Sequence, residues 1–246
     1  MEIYQAAPFS VIFAFIFYLS LYLFRKYWIS FSQLDSSIQI QFISRVVSSI
    51  HALIVTLLGS YVLIADHDLY SNKLIYKSDI IILNYNMVIG YLFMDFLLMI
   101  YYKKEIFEWQ FVVHHVVSAT ACIVASNYGY FAYIAALRTL SEASTLFVNF
   151  RWFLLTLNMK DSKWYMINGI IGFISFGLVR IVTLIPIWKA FFDFTTYTQW
   201  PTIPLIFKLI CLGTSVPLDS LNIYWFYRII SIMTKSIKSN KQKRLN

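Results

Sequence analysis

RTLSEASTLFVNFRW, residues 138–152, decides how this chain is read. At about 100° per helical residue, Arg138, Glu142, Thr145 and Asn149 fall within about 60° of one another, on one stripe of a largely apolar run. A helix that is apolar all round except for one polar stripe belongs in lipid, with the stripe turned inward. A purely structural reading also stands at this point: Arg138 and Glu142, at i and i+4, neutralise each other and hold helices in register.

The surrounding sequence fits a lipid solvent. Of 246 residues 59% are hydrophobic and 13% charged, and the mean hydropathy is +0.66, outside soluble globular usage. Apolar runs long enough to cross a hydrocarbon core of about 30 Å lie near 8–24, 44–65, 80–101, 108–127, 130–150, 164–187 and 202–227. They are continuously apolar, where barrel strands alternate, so an all-α polytopic membrane protein with about seven transmembrane helices is predicted.

Charge placement supports that count. With the N-terminus outside, one side of the membrane receives Arg25, Lys26, Arg45, Lys103, Lys104, Arg151, Lys160, Lys163 and six more between Arg228 and Arg244, which is 14 of the 20 Lys and Arg. Such enrichment marks the cytoplasmic side. The net charge of +8 is therefore read as orientation, and no continuous basic face suggests nucleic acid. The first run lacks a basic n-region and is read as a retained helix. Cys122 and Cys211 imply no disulfide framework. The tail, with Lys243 and Arg244 fourth and third from the end, resembles a dibasic endoplasmic reticulum retrieval signal. Residues 1–39 are read as a transmembrane helix and loop, 40–228 as the main domain and 229–246 as a basic cytoplasmic tail.

Ionisable residues inside the spans cost about 2.5–3.5 kcal/mol each on insertion scales, so they face partners or a cavity. Here they are His51, Asp95, His114, His115, Arg138, Glu142, Arg180 and Asp219. Helical spacing groups Tyr91 with Asp95, His114 with Ser118, and Ser215 with Asp219 and Asn222, so several spans each offer one polar stripe to a common chamber. Asp95 and Asp219 are equal candidates to pair Arg138 or Arg180. Neutral imidazoles at His114 and His115 are suited to act as base, nucleophile or ligand. No HExxH or i, i+4 His pair is present, and no metal is expected. A kink at Pro217 is expected to aim Asp219 at the chamber. The third span ends IYYKKE and the seventh reads VPLDSLNIYW, which opposes a seven-helix receptor.

Taken in order, SRVVSSIHAL (44–53), GYLFMDF (90–96), HHVVS (114–118), LSEASTLFVNFRWF (140–153), ING (167–169) with a later RI (180–181), and LDSLN (218–222) resemble the TLC-domain family, which includes the ceramide synthases. The resemblance implies a bundle of six core helices around a cavity open to lipid, an added N-terminal helix, and a multi-pass position in the endoplasmic reticulum or a related membrane; the charge placement puts the N-terminus on the lumenal side and the C-terminus on the cytoplasmic side. Ceramide synthases carry paired histidines at the positions of His114 and His115 and transfer an acyl group from acyl-CoA to a sphingoid amine. Where they have a His-Asp pair followed by another Asp, this chain has Ser141-Glu142 followed by Thr145.

Two functions follow from the resemblance. The first is a membrane lipid homeostasis protein binding an acyl-chain or sphingolipid ligand, with Asp95, Arg138, Asn149, Arg180 and Asp219 as binding residues. The alternative is a ceramide-synthase-like acyltransferase in which His114 or His115 is base or acyl acceptor and Glu142 orients an imidazole. Acyl-CoA would be its co-substrate, and no bound cofactor is expected. The expected partners are membrane lipids, with self-association into a homo-oligomer left open.

Overall fold

The computed structural model describes the backbone from Glu2 to Leu245 and the side chains from Tyr4 to Thr234. Among these residues the chain is helical, without a named strand. In order the α-helices are α1 (Ala7–Tyr27), α2 (Ile29–Ser32), α3 (Ser36–Ala65), α4 (His67–Ser71), α5 (Asp79–Tyr101), α6 (Lys103–Ile106), α7 (Trp109–Tyr128), α8 (Ala132–Thr139), α9 (Ala143–Thr156), α10 (Lys163–Phe176), α11 (Leu184–Phe194) and α12 (Leu205–Leu245). A 3₁₀ turn, Leu140–Glu142, joins α8 to α9, and a π-helical turn, Gly177–Val182, joins α10 to α11.

Six of the described helical runs are long and apolar enough to cross a membrane: Tyr4–Tyr27, Ser36–Ala65, Asp79–Tyr101, Trp109–Tyr128, Lys163–Phe194 and Leu205–Thr234. The seventh predicted span is present as α8, the 3₁₀ turn and α9, a helical segment interrupted at its middle. That interruption has a consequence for the stripe. A 3₁₀ turn advances about 120° per residue where an α-helix advances about 100°, so Arg138 and Glu142 are rotated apart and do not pair.

One other expectation is corrected. The second span begins at Ser36, eight residues before its predicted start, which puts Arg45 within a transmembrane helix instead of in a cytoplasmic segment. The C-terminal helix carries Pro217 inside its α-helical run. The retrieval-like tail side chains, Lys235 onward, lie outside the described residues.

The bundle is organised around α5, the most enclosed of the spans, which packs against α1, α3 and α7. Phe13 and Phe17 of α1, Ile43, Val47 and Val55 of α3, and Ile81 and Tyr85 of α5 form the apolar core between them. The first helix is thus part of that core. At one end of the bundle Arg25 Nε donates to Gln39 Oε1 at 2.7 Å, near the basic residues Lys26, Lys103 and Lys104. At the other end the loop after α4 pairs with the turn after α7, Tyr76 N–H donating to the Gly129 carbonyl and Phe131 N–H to that of Leu74. Gly129 sits there at φ +71°, where a Cβ would be strained. In this loop Asp66 accepts from Tyr76 and Ser78 at 2.6 and 2.9 Å, and partial burial with that hydrogen bond pushes the Tyr76 phenol up to about 12.

Close helix contact in lipid requires small residues, and Gly90 supplies one. Ser10 Oγ donates to the Gly90 carbonyl at 2.9 Å, and a Cβ at Gly90 would stand 2.6 Å from Phe9 Cβ and 2.7 Å from the Ala6 carbonyl. Gly90→Val is therefore expected to push α1 off α5 and cost about 1–3 kcal/mol, seen as a lower melting temperature of the detergent-purified protein. An unchanged temperature would mean that α1 is only loosely attached.

Candidate functional site

Polar side chains from several helices meet inside the bundle, around cavities of which the larger reaches toward the lysine-rich end. On α7, His115 is buried and both ring nitrogens face acceptors: Nε2 lies 2.9 Å from Asp95 Oδ2 on α5, and Nδ1 lies 2.6 Å from the Phe111 carbonyl. With an acceptor at each nitrogen, the ring carries both protons or shares one with Asp95. Either way its hydrogen-bonding capacity is consumed inside the protein.

Its neighbour differs. His114, about 100° around the same helix, has a buried Nδ1 with no hydrogen-bond partner and packs near Trp225 of α12, ring centroids 5.8 Å apart. His114 thus keeps an uncommitted, enclosed ring nitrogen while the residue borders the cavity.

Arg180 comes from the π-turn. Such turns are rare and widen the helix by one residue, often where a side chain serves function; here the turn delivers a guanidinium that is 6% exposed into the middle of the bundle. Nε donates to Ser144 at 2.8 Å, Nη1 to Asn222 at 3.0 Å and Nη2 to Thr145 at 3.1 Å. Thr145 in turn donates to Glu142 Oε2 at 3.1 Å. Arg138 takes a different partner: its guanidinium meets the Asp219 carboxylate at 2.8 and 3.4 Å, and Trp188 Nε1 donates to the same carboxylate at 2.8 Å.

These contacts correct two sequence readings. Arg138 is neutralised by Asp219, not by Glu142, because the 3₁₀ turn separates the two. The imidazole is oriented by Asp95; Glu142 hydrogen-bonds Thr145 and neither histidine among the described bonds. Asn149 borders the larger chamber and is held toward α3, accepting from Arg45 Nη1 at 3.3 Å and donating to Ser49 at 3.1 Å.

The expected single chamber is two adjoining ones. The larger, about 490 Å³, is bounded by Arg45, Asp95, His114, His115, Glu142 and Arg180 on its polar side, by Leu92, Met99, Val148 and Phe176 on its apolar side, and by Glu105, Glu108, Gln110 and Arg228 toward the lysine-rich end. The smaller, about 60 Å³, is bounded by His51, Ser118, Arg138 and Asn222 among others. His114, Glu142, Arg180 and Leu92 border both. Asp219 borders neither directly and acts through Arg138. Among the described residues no three His, Cys, Asp or Glu side chains are grouped as metal ligands.

Arg45 and Trp225 are cavity residues the sequence reading missed. The Arg45 guanidinium stacks 4.7 Å from the Trp152 ring and its Nε has no partner. Trp225 stands between His114 and Arg180 and donates from Nε1 to Gln110 at 3.3 Å. Its position three residues after Asn222 and seven after Leu218 puts it on the same helix face, a signal that was available.

Residues 41–231 match the TLC domain. The chain belongs to the TLC-domain family. Human TLC domain-containing protein 4 is 33% identical over 233 residues, covering 91% of this chain and 88% of the relative. The 4-B protein of Xenopus laevis is 36% identical over 202 residues, covering 81% and 76%. TLC domain-containing protein 2 of Danio rerio is 28% identical over 192 residues, covering 74% and 68%. The match places α3 through most of α12, and so both chambers, inside the TLC domain, while α1 precedes it.

Proposed function

We propose that this TLC-domain protein serves membrane lipid homeostasis by holding an acyl-chain or sphingolipid ligand in the larger chamber, head toward Arg180 and His114 and chain along Leu92, Met99 and Phe176. The observation that supports the reading most is the composition of that wall: one side offers a free imidazole and a guanidinium, the other is apolar, in a volume within the range of about 300–1,000 Å³ usual for ligand pockets. The reading includes a multi-pass place in the endoplasmic reticulum membrane with the lysine-rich end cytoplasmic, as the charge bias favours. Lipids copurifying with the protein, identified by mass spectrometry, test it. An acyl lipid enriched over the detergent extract and lost in Leu92→Trp is expected, and copurification of bulk lipid alone in both would count against it.

A second reading is favoured by a specific observation, the different states of the two histidines. In an acyl transfer from acyl-CoA, His114 would remove the proton from the accepting amine or hydroxyl as that atom attacks the thioester carbonyl, and return it to the CoA thiolate released when the C–S bond breaks, with His115 fixed on Asp95 positioning the helix beside it. Purified protein incubated with labelled acyl-CoA and a panel of amine and hydroxyl lipids separates the readings: turnover lost in His114→Ala supports the enzyme, and retained lipid binding without turnover supports the carrier.

A further inference from the structure

The wall of the larger chamber carries Arg45, Arg180 and Arg228 with Asp95, Glu105, Glu108 and Glu142, and not every arginine touches a carboxylate. Of the buried basic groups in the spans, His115 touches Asp95 and Arg138 touches Asp219. Arg180 and Arg45, on the same chamber, have no carboxylate within 4.0 Å among the described residues. Their hydrogen-bond partners are neutral: Ser144, Thr145 and Asn222 for Arg180, Asn149 for Arg45.

Arg180 donates three of its five N–H groups, one from each nitrogen, which leaves one N–H on each terminal nitrogen. Two N–H groups on adjacent terminal nitrogens are what an oxyanion takes in a bidentate contact. On the same wall the buried Nε of Arg45 and Nδ1 of His114 have no partner. The carboxylates of this chamber do not take the place of a ligand. Asp95 is held by His115, Glu142 is tied to Arg180 only through Thr145, and Glu105 and Glu108 stand at the mouth, partly or fully exposed.

We infer that the chamber selects a single-chain amphiphile with an anionic head, carboxylate or phosphate, seated on Arg180 with Arg45 and His114 beside it. The inference rests on the lipid-binding reading and adds a charge to the ligand. A guanidinium enclosed by low-dielectric walls attracts an anion far more strongly than it would in water, and the uncharged analogue of the same chain gains nothing from it.

The test uses the full chain in phosphatidylcholine nanodiscs with three tritiated probes sharing one chain: oleate, oleoyl lysophosphatidate and oleyl alcohol. Wild type is expected to bind at least one anionic probe about tenfold or more tighter than the alcohol. The oleate and lysophosphatidate arms distinguish a carboxylate from a phosphate head, and preference for either supports the inference. Arg180→Gln is expected to bring the anionic probe to within about twofold of the alcohol, with Arg180→Lys keeping most of the preference. The wild-type comparison needs no variant, so it stands even if Arg180→Gln fails to fold. Oleyl alcohol bound as tightly as both anions would overturn the anionic inference and leave lipid binding intact. Binding of none of the three would overturn the lipid reading and this inference with it.

Discussion

Asp219→Leu is expected to destabilise the protein by about 3–5 kcal/mol, because it strands a buried arginine. Arg138 and Asp219 have side chains 14% and 8% exposed and join α8 to α12 across 81 residues of sequence. The carboxylate also accepts from Trp188 of α11, so one substitution releases contacts among three helices. Arg138→Met is expected to cost a similar amount for the mirror reason. Combining the two should recover most of the loss, since an apolar pair of like volume avoids both desolvation and stranded charge. Thermal unfolding in detergent measures all three. Single variants that melt with wild type would show that the pair is not formed.

The two histidines are expected to behave oppositely. His115→Ala leaves Asp95 buried without its partner, so the loss should be structural, about 3–5 kcal/mol with poor recovery of folded protein. His114→Ala removes no hydrogen bond to protein that its Nδ1 makes. Its structural cost is that of truncating a ring packed beside Trp225 and His115, about 1–3 kcal/mol. It should nonetheless abolish the site's chemistry: about 10²–10⁴-fold in rate if the protein transfers acyl groups, or a clear weakening of lipid binding if it does not. Melting temperature and function measured on the same preparations check both. Equal melting temperatures for the two variants would refute the division between a positioning and a ligand-facing imidazole.

Much of this was legible in the sequence. Continuous apolar runs and one-sided Lys and Arg placement reported the helical membrane architecture, since lipid excludes other backbone arrangements. The polar stripes named the chamber residues because a buried charge needs a partner or water. What the sequence hid were departures from 100° periodicity. The 3₁₀ turn at Leu140–Glu142 broke the Arg138–Glu142 pairing, and the π-turn at Gly177–Val182 set the direction of Arg180. Neither carries a proline or a glycine pair to announce it. Arg45 was misplaced because positive charge is the usual sign of a span's end, whereas here α3 starts two turns earlier and buries it against Trp152. Which carboxylate pairs with which base depends on contacts between helices, and one-helix spacing is silent on them.

The convergence of these groups on an interior lipid chamber is tested most directly by photolabelling. A diazirine-bearing fatty acid, irradiated with the purified protein and mapped by peptide mass spectrometry, is expected to mark Leu92, Val148 and Phe176, and an excess of unlabelled fatty acid should remove those adducts. Adducts confined to outward residues such as Ile185 and Phe192, and unaffected by competition, would contradict it.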